Sequence, residues 1–357
     1  MFGRLEGKAE ECVQKEDYYE AHQIYRTLCF RYKNSKSFSD LLRVSYNGSM
    51  TLLKKKQFES GVDMGCLFVE ALIVSDTKPT AENIEKIIMF LEMQLEMEKE
   101  ATDAGLAIKR FRVATDKFIS DAVKWSQQHS RNPREAAHGT DALNKSLAET
   151  FSKFDDIERA RTHYLLSEDA EGFSRFLIAS LSKFGEPDEH DLFIALAVLQ
   201  LLCLKRAKTA WTLFTHYIGN SPVGYGELPC KYPLINFIWL LLLAVPKRNS
   251  ATFCDLVNKY TPSLDRDPQY KPLLDKIGKV FFKISEPGAA GGFLGNMLRG
   301  LMGGERAAEE QFRASDVEFE DDVMIVDEDG YTTANDSDGN DGPGAKQSAV
   351  DQMDDLD

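Results

Sequence analysis

The sequence predicts an all-α protein, a right-handed α-solenoid of antiparallel helix pairs that is similar to tetratricopeptide repeats and ends in a disordered acidic tail. Three observations support this prediction. Apolar residues recur every three or four positions, which is typical of amphipathic helices rather than strands. Near the start of the chain, the pattern that begins at Tyr18 repeats from Phe58 onward. Residues 305–357 are acidic and polar, a composition that cannot bury a core.

The segment from Met1 to Ser75 shows the helical pattern most clearly. Asp17, with Glu20 three positions later, forms a capping-box pattern that predicts a helix start. No proline lies between Phe2 and Thr77 to interrupt long helices. Three apolar stripes follow at helical spacing: Tyr18, Ala21, Tyr25, Leu28, Cys29 and Tyr32; then Phe38, Leu41, Leu42, Ser45, Ser49, Leu52 and Leu53; then Phe58, Gly61, Gly65, Phe68, Val69 and Leu72.

The first and third stripes align position by position at one constant offset. The aligned pairs are Tyr18 with Phe58, Ala21 with Gly61, Leu28 with Phe68, Cys29 with Val69, and Tyr32 with Leu72. A large residue followed three positions later by a small one lets a neighbouring helix approach closely. A helix pair that repeats at about 40 residues is the signature of an α-solenoid. Because the repeat is degenerate, the sequence predicts the architecture but not the number of repeats.

Further helices are predicted as far as Phe282. Their apolar patterns cover a stripe from Ile84 to Leu95 and residues 111–128, 136–150, 170–184, 191–204, 208–217, 234–245, 253–260 and 270–282. The segment Gly219–Tyr232 contains three glycines and two prolines, and it is interpreted as a loop, with a hairpin as the alternative. A short apolar helix, FLGNMLRGLM, is expected within Gly288–Gly304.

The net charge of −14 is concentrated at the end of the chain. Residues 305–357 hold 18 acidic and three basic residues, so their net charge is −15 and residues 1–304 are almost balanced. A balanced body argues against a nucleic-acid-binding protein, which needs a dense basic surface. Within the tail, the β-prone segment Val323–Val326 is either a strand that adds to a partner's sheet or a chance pattern.

Sequence motifs of catalysis and metal binding are missing from the chain. The six cysteines are widely scattered, so they lack the spacing of a zinc or redox motif and are interpreted as buried thiols. The glycines around residue 295 lack the GK[ST] ending of a phosphate loop. His22 is interpreted as a surface or packed side chain. We therefore expect no enzymatic activity, no cofactor and no metal.

The longest apolar run, LINFIWLLLLAV, spans only twelve residues from Leu234 to Val245. A helix needs about 20 residues to cross a bilayer, so we expect no membrane insertion. Met1–Gly7 is mixed and polar, so we expect no secretory signal and a location in the cytosol. The run is apolar on all sides, and such a helix must be buried by the fold or by a permanent partner.

Several segments are similar, in the same order, to the Golgi-to-ER traffic protein 4 family. They are DYYEAHQIYRTLCFRY, EGFSRFLIASLSKFG, DLFIALAVLQLLCLK, LINFIWLLLLAV, YTPSLDRDPQYKPLLDKIGKVFF and GGFLGNMLRGLMGG. The resemblance covers about residues 4–304 and implies a non-enzymatic α-solenoid. It implies that residues 1–150 bind a targeting ATPase and that residues 151–304 bind a ubiquitin-like-domain protein in a stable heterodimer. Together they promote delivery of tail-anchored proteins to the endoplasmic reticulum.

The resemblance also assigns single residues. Tyr18 and Arg31 match positions that anchor the ATPase, and Asp63 matches a position that tunes ATP hydrolysis. A second basic anchor falls on Asn34, which departs from the family pattern. For the ubiquitin-like partner, the predicted contact is one apolar face of the helix at 234–245, formed by Leu234, Phe237, Ile238 and Leu241.

Further partners follow from the resemblance alone. They are the chaperones that the ubiquitin-like protein recruits and, in animals, a large BAG-type scaffold. Two alternatives stay open. A generic tetratricopeptide-type adaptor, or a subunit of a larger regulatory or quality-control complex, would explain the repeat equally well, although it would not explain the ordered motifs. An enzyme is disfavoured by the missing motifs.

Overall fold

Sixteen α-helices and no strand make up the part of the chain that the computed structural model describes, residues 2–106, 108–186 and 189–284. The predicted all-α fold is confirmed. The predicted helix within Gly288–Gly304 and the predicted tail lie outside the described residues. The helices are α1 (Phe2–Gln14), α2 (Tyr18–Asn34), α3 (Phe38–Lys54), α4 (Phe58–Val74), α5 (Ala81–Asp103), α6 (Lys109–Gln127), α7 (Pro133–His138), α8 (Asp141–Lys153), α9 (Ile157–Leu166), α10 (Ala170–Phe184), α11 (His190–Cys203), α12 (Ala207–Asn220), α13 (Pro233–Ala244), α14 (Ser250–Lys259), α15 (Thr261–Leu264) and α16 (Tyr270–Phe282).

The repeat predicted from the sequence corresponds to regular helices of equal length. Helices α2, α3 and α4 each have 17 residues, and they begin at the evenly spaced positions Tyr18, Phe38 and Phe58. Helix α4 therefore repeats α2 at the predicted offset, with Phe58 in the place of Tyr18. Consecutive helices pack as antiparallel pairs, and α2 also packs directly against α4.

Five turns, those after α1, α2, α3, α8 and α11, share one backbone geometry. In each of them the second residue after the helix has a left-handed conformation, and the next helix begins two residues later. At Lys36, whose φ is 56°, the following N–H of Ser37 donates back to the carbonyl oxygen of Tyr32 at 2.9 Å. This bond is typical of a Schellman motif. The left-handed residues of these turns are Glu16, Lys36, Lys56, Asp155 and Lys205.

Small residues bring α3 and α4 close together. A Cβ atom added at Gly61 would lie 2.6 Å from the side chain of Leu53 and 3.1 Å from its backbone nitrogen. Ser49 donates its hydroxyl to the carbonyl oxygen of Gly61 at 2.8 Å, which satisfies a polar group in this tight interface. The contact agrees with the interpretation that the large–small spacing permits close helix approach.

Two hydrophobic clusters form the core. The smaller cluster contains residues of α1, α2, α3 and α4, and the larger one contains residues from Met50 to Phe282. The larger cluster includes Phe68, Phe90 and Phe118, whose rings meet edge to face across α4, α5 and α6. Residue 150, the predicted boundary between the two partner-binding halves, lies inside α8.

The helix predicted over residues 136–150 is in fact two helices. Helix α7 ends at His138, and Gly139 has a φ of 84°, a conformation that disfavours every residue except glycine. Helix α8 then begins at Asp141. By contrast, the predicted limits of α10 and α16 match the structure. No helix among the described residues is both long enough and apolar enough to cross a lipid bilayer.

Candidate partner-binding surfaces

Helix α2 begins where the capping box predicts. The side chain of Asp17 accepts the backbone N–H of Glu20 at 3.1 Å, which satisfies one of the free amides of the first turn. Tyr18 is the first residue of the helix. Its ring is partly buried and packs against the N-terminal core cluster, so only part of it is available to a partner.

Arg31 is exposed in the last turn of α2. Its neighbours on this helix form ion pairs with α4: Arg26 with Asp63 and Lys33 with Glu70. Within residues 2–106, 108–186 and 189–284, the guanidinium of Arg31 forms no such pair. It is therefore a cation whose five N–H donors are available to another molecule.

Asp63 lies on α4, next to α2, and two side chains of α2 contact its carboxylate. Its Oδ2 atom lies 2.8 Å from Nε2 of His22 and 3.3 Å from Nη1 of Arg26. The hydrogen bond with His22, together with the positive charge of Arg26, lowers the pKa of Asp63 despite its partial burial. The side chain is 36% exposed, so a fixed negative charge is presented at the surface.

The structure does not bring Arg31 and Asp63 into contact. Arg31 follows Arg26 by five residues, which places it about 140° further around the helix axis at roughly 100° per residue. Asp63 contacts the Arg26 side of α2. The two predicted site residues therefore flank α2 on different sides, with the exposed surface of that helix between them.

Two large aromatic side chains occupy this exposed surface of α2. Tyr19 is 75% exposed and Phe30 is 66% exposed. They are eleven residues apart, about three helical turns, so they project from the same side of the helix about 16 Å apart. Neither residue is among the partner-binding residues predicted from the sequence. The signal was available, since both fall outside the apolar stripe that runs from Tyr18 to Tyr32.

A cavity of about 220 Å³ lies beside Phe30, between α2 and α4. Its lining combines apolar side chains with the Lys33–Glu70 ion pair. Burial raises the pKa of the Cys29 thiol in this lining to about 12, so the sulfur stays protonated and unreactive at neutral pH. The apolar lining residues are Cys29, Phe30, Leu41, Leu67, Ala71 and Val74.

The four residues predicted to contact the ubiquitin-like partner lie in the core of the chain itself. Each has an exposure of 0% because α11, α12, α14 and α15 pack around α13. They are Leu234, Phe237, Ile238 and Leu241. In this structure they hold α13 in place and have no surface to offer a partner. The partly exposed apolar residues of α13 are Trp239 and Leu240.

The loop that precedes α13 is fixed by buried and partly buried hydrogen bonds and contains no strand. Tyr225 is 5% exposed, and its hydroxyl lies 2.7 Å from Nδ1 of His190. At the other end of the loop, the side chain of Asn236 accepts the N–H of Cys230 and donates to its carbonyl oxygen, both at 2.7 Å. Of the segment Gly219–Tyr232, interpreted as a loop with a hairpin as the alternative, the first two residues end α12 and residues 221–232 are a loop.

The geometry of the described residues offers no grouping suited to a metal ion, since no three His, Cys, Asp or Glu side chains converge. The six cysteines are unpaired. Burial raises the pKa of Cys66 and of Cys203 to about 11 each, so neither thiol is a ready nucleophile.

A protein-family model described as Golgi to ER traffic protein 4 matches residues 35–302. The chain belongs to the Golgi to ER traffic protein 4 family. The matched range begins after Tyr18 and Arg31, and it includes Asp63 and the whole of α13. Two of the predicted site residues therefore lie outside the part of the chain that the Golgi to ER traffic protein 4 model covers.

Members of the Golgi to ER traffic protein 4 family align over most of the chain. The Xenopus tropicalis homolog is 37% identical over 302 residues, which are 84% of this chain and 87% of the relative. The Homo sapiens homolog is 35% identical over 315 residues, 88% and 90% of the two chains. A crystal structure of Get4 from C. therm. has a TM-score of 0.64 at 21% identity, covering 87% of this chain and 99% of the other. That likeness establishes the shared fold.

Proposed function

We propose that this member of the family is a non-enzymatic scaffold in the cytosol. It joins a targeting ATPase to a ubiquitin-like-domain protein and its chaperones, and it thereby promotes the delivery of tail-anchored proteins to the endoplasmic reticulum. The name of its relatives supports a role in traffic to this organelle. A solenoid of helices supports a scaffold, because stacked helix pairs form extended binding surfaces.

The exposed surface of α2 supports the ATPase-binding site more strongly than any other observation. It presents Tyr19 and Phe30 to solvent, and Arg31 lies beside Phe30. Aromatic and arginine side chains are the commonest energetic anchors of protein interfaces. Truncating such an anchor to alanine typically weakens binding by about 2 kcal/mol or more. We propose that Tyr18 and Arg31 anchor the ATPase and that Asp63, at the edge of this surface, tunes ATP hydrolysis.

We propose that the ubiquitin-like partner binds at α13, in the second half of the solenoid. Leu234, Phe237, Ile238 and Leu241 pack α13 against its neighbours, and the partly exposed Trp239 and Leu240 supply apolar contact area. A rigid helix lowers the entropic cost of binding at this place. A BAG-type scaffold is a further proposed partner, which the family resemblance alone implies.

The test is reciprocal binding with variants of the two surfaces. The chain is titrated separately with the ATPase and with the ubiquitin-like protein of the same organism. Replacing both Tyr19 and Phe30 by Ala is expected to weaken only ATPase binding, and Trp239→Ala only binding of the ubiquitin-like protein. Phe184→Ala is the matched control, because Phe184 is 55% exposed on α10, away from both surfaces.

Two results would contradict the proposal. One is an ATPase affinity that stays at the parent value after loss of both α2 rings. The other is a failure of the ubiquitin-like protein to co-purify with the parent chain in stoichiometric amount. An ATP hydrolysis assay on the purified chain alone tests the non-enzymatic part of the proposal, and no turnover is expected.

A further inference from the structure

We infer that His22 is a positioning residue for Asp63, whose carboxylate it orients through the hydrogen bond between α2 and α4. The inference rests on the proposed role of Asp63 in tuning ATP hydrolysis. It adds a residue that neither the sequence motifs nor the family resemblance assigns. It also links Asp63 to the helix that presents Arg31.

The geometry distinguishes the two groups that hold the carboxylate. His22 is 8% exposed, and its Nε2 atom lies 2.8 Å from Oδ2 of Asp63. Arg26 reaches the same oxygen at 3.3 Å, but half of its side chain is exposed, at 51%. A long, solvated side chain loses entropy when it is held in one geometry, whereas a packed imidazole loses little. His22 is therefore the group that fixes the orientation of the carboxylate.

Groups on two neighbouring helices surround this carboxylate. His22 and Arg26 approach it from α2, and the positive charge of Lys117 acts on it from α6. These groups lower the pKa of Asp63, so the side chain is ionised at neutral pH. The surface thus presents an anion whose charge and direction are both set before a partner binds. A charge that is fixed in place before binding can stabilise or oppose charge in a partner's reaction without first having to be ordered.

The hydrogen bond also couples two parts of the proposed site. His22 and Arg31 lie on the same helix, nine residues apart, and Asp63 lies on the next parallel helix. Any shift of α2 that accompanies ATPase binding moves His22, and the carboxylate of Asp63 must follow or lose its partner. His22 therefore relays the position of the anchoring helix to Asp63.

The test compares two substitutions of His22 that differ in hydrogen bonding. His22→Gln keeps an N–H donor near the position of Nε2, and His22→Leu removes it while preserving apolar packing. The first readout is the titration of the Asp63 carboxyl carbon by NMR in the free chain. We expect the pKa of Asp63 to rise in His22→Leu and to stay near the parent value in His22→Gln.

The second readout is ATP turnover by the ATPase at saturating chain, together with its affinity. His22→Leu is expected to change the ATP turnover in the same direction as Asp63→Asn, while the affinity for the ATPase stays unchanged. His22→Gln is expected to keep the turnover of the parent chain. Melting temperatures establish that each variant is folded.

An unchanged carboxyl titration and unchanged turnover in His22→Leu would overturn the positioning role, even if Asp63→Asn still changes turnover. A different failure is possible for the proposed function. If Asp63→Asn leaves turnover unaltered, the proposed role of Asp63 is wrong. A raised pKa of Asp63 in His22→Leu would in that case still show that His22 positions the carboxylate.

Discussion

Glu98 accepts hydrogen bonds from Arg159, 61 residues later in the chain, at 3.3 and 3.4 Å, and from Nε of Arg112 at 2.9 Å. The Glu98 side chain is 8% exposed. One buried carboxylate therefore joins α5, α6 and α9, on either side of residue 150. Arg159 is additionally paired with Asp156, and its guanidinium lies 4.6 Å from the centre of the Phe151 ring.

We predict that Glu98→Ala lowers the free energy of unfolding by about 1.5–3 kcal/mol, because it removes charge-assisted hydrogen bonds to two arginines that keep other carboxylate partners. The measurement is urea denaturation followed by circular dichroism. Glu92→Ala on the same helix is the control, since Glu92 pairs with Lys153 at the surface and its loss should cost less than about 1 kcal/mol. Equal losses in the two variants would contradict the prediction.

For the ATPase, Arg31→Glu should weaken binding by about 2 kcal/mol or more, because a guanidinium that pairs with a partner carboxylate would become a like charge. Isothermal titration of the ATPase measures the loss. Arg175→Glu on α10 is the control, since Arg175 is equally a surface cation and should leave the affinity unchanged. An Arg31→Glu chain that binds as tightly as the parent would show that the anchor lies elsewhere.

The stability of the fold should depend on pH through His163. Burial, with the nearby charge of Arg159, lowers the pKa of His163 to about 4, from an ordinary value of 6.5. As the pH falls from 6.5 to 4, His163 therefore becomes protonated in the unfolded chain but stays neutral in the folded chain. We predict that stability is level above about pH 6.5 and falls by up to about 3 kcal/mol as the pH drops to 4.

The control for this pH dependence is His163→Asn, which keeps an N–H donor near the position of Nδ1 for Asn144 but cannot titrate. In the parent, Nδ1 of His163 lies 2.9 Å from Oδ1 of Asn144. Chemical denaturation at several pH values should give a flatter profile between pH 4 and 6.5 for the variant. Identical slopes for the two chains in that window would assign the dependence to other groups.

A glycine at Lys36 should stabilise the protein. Lys36 has a left-handed backbone with a φ of 56°, which is strained for a residue with a Cβ atom. Glycine removes this strain but loses some entropy on folding, so the expected net gain is about 0.5–1 kcal/mol in denaturation experiments. Lys55→Gly, at a position with a φ of −89°, should bring no gain. A loss of stability in Lys36→Gly would argue against the strain.

The repeating helices could be predicted from the sequence because their signal is local and periodic. The offset that aligns Tyr18 with Phe58 describes α2 and α4, and the limits of α10 and α16 match the structure. The break at Gly139 was missed, although a glycine followed by Thr140 and Asp141 signals a helix end and a new start.

The candidate site was harder to predict because it depends on which helices are neighbours. His22 contacts Asp63 at a separation close to the repeat offset, so the repeat itself indicated this pairing. The burial of Leu234 and Phe237 could not be predicted, because an apolar helix is equally suited to a core and to a permanent partner. Only the helices packed around α13 decide between them.

The shared turn geometry has a consequence for how such a chain can change in length. Deleting one residue of a turn would remove this shared geometry, and the apolar stripe of the next helix would no longer face its neighbours. Adding a whole repeat unit, such as Tyr18–Gln57, would preserve every stripe and move the C-terminal part by roughly 10 Å for each helix layer. The length of the solenoid can therefore increase in steps of one whole repeat. Each duplicated repeat would use the same helix contacts that the existing repeats already make.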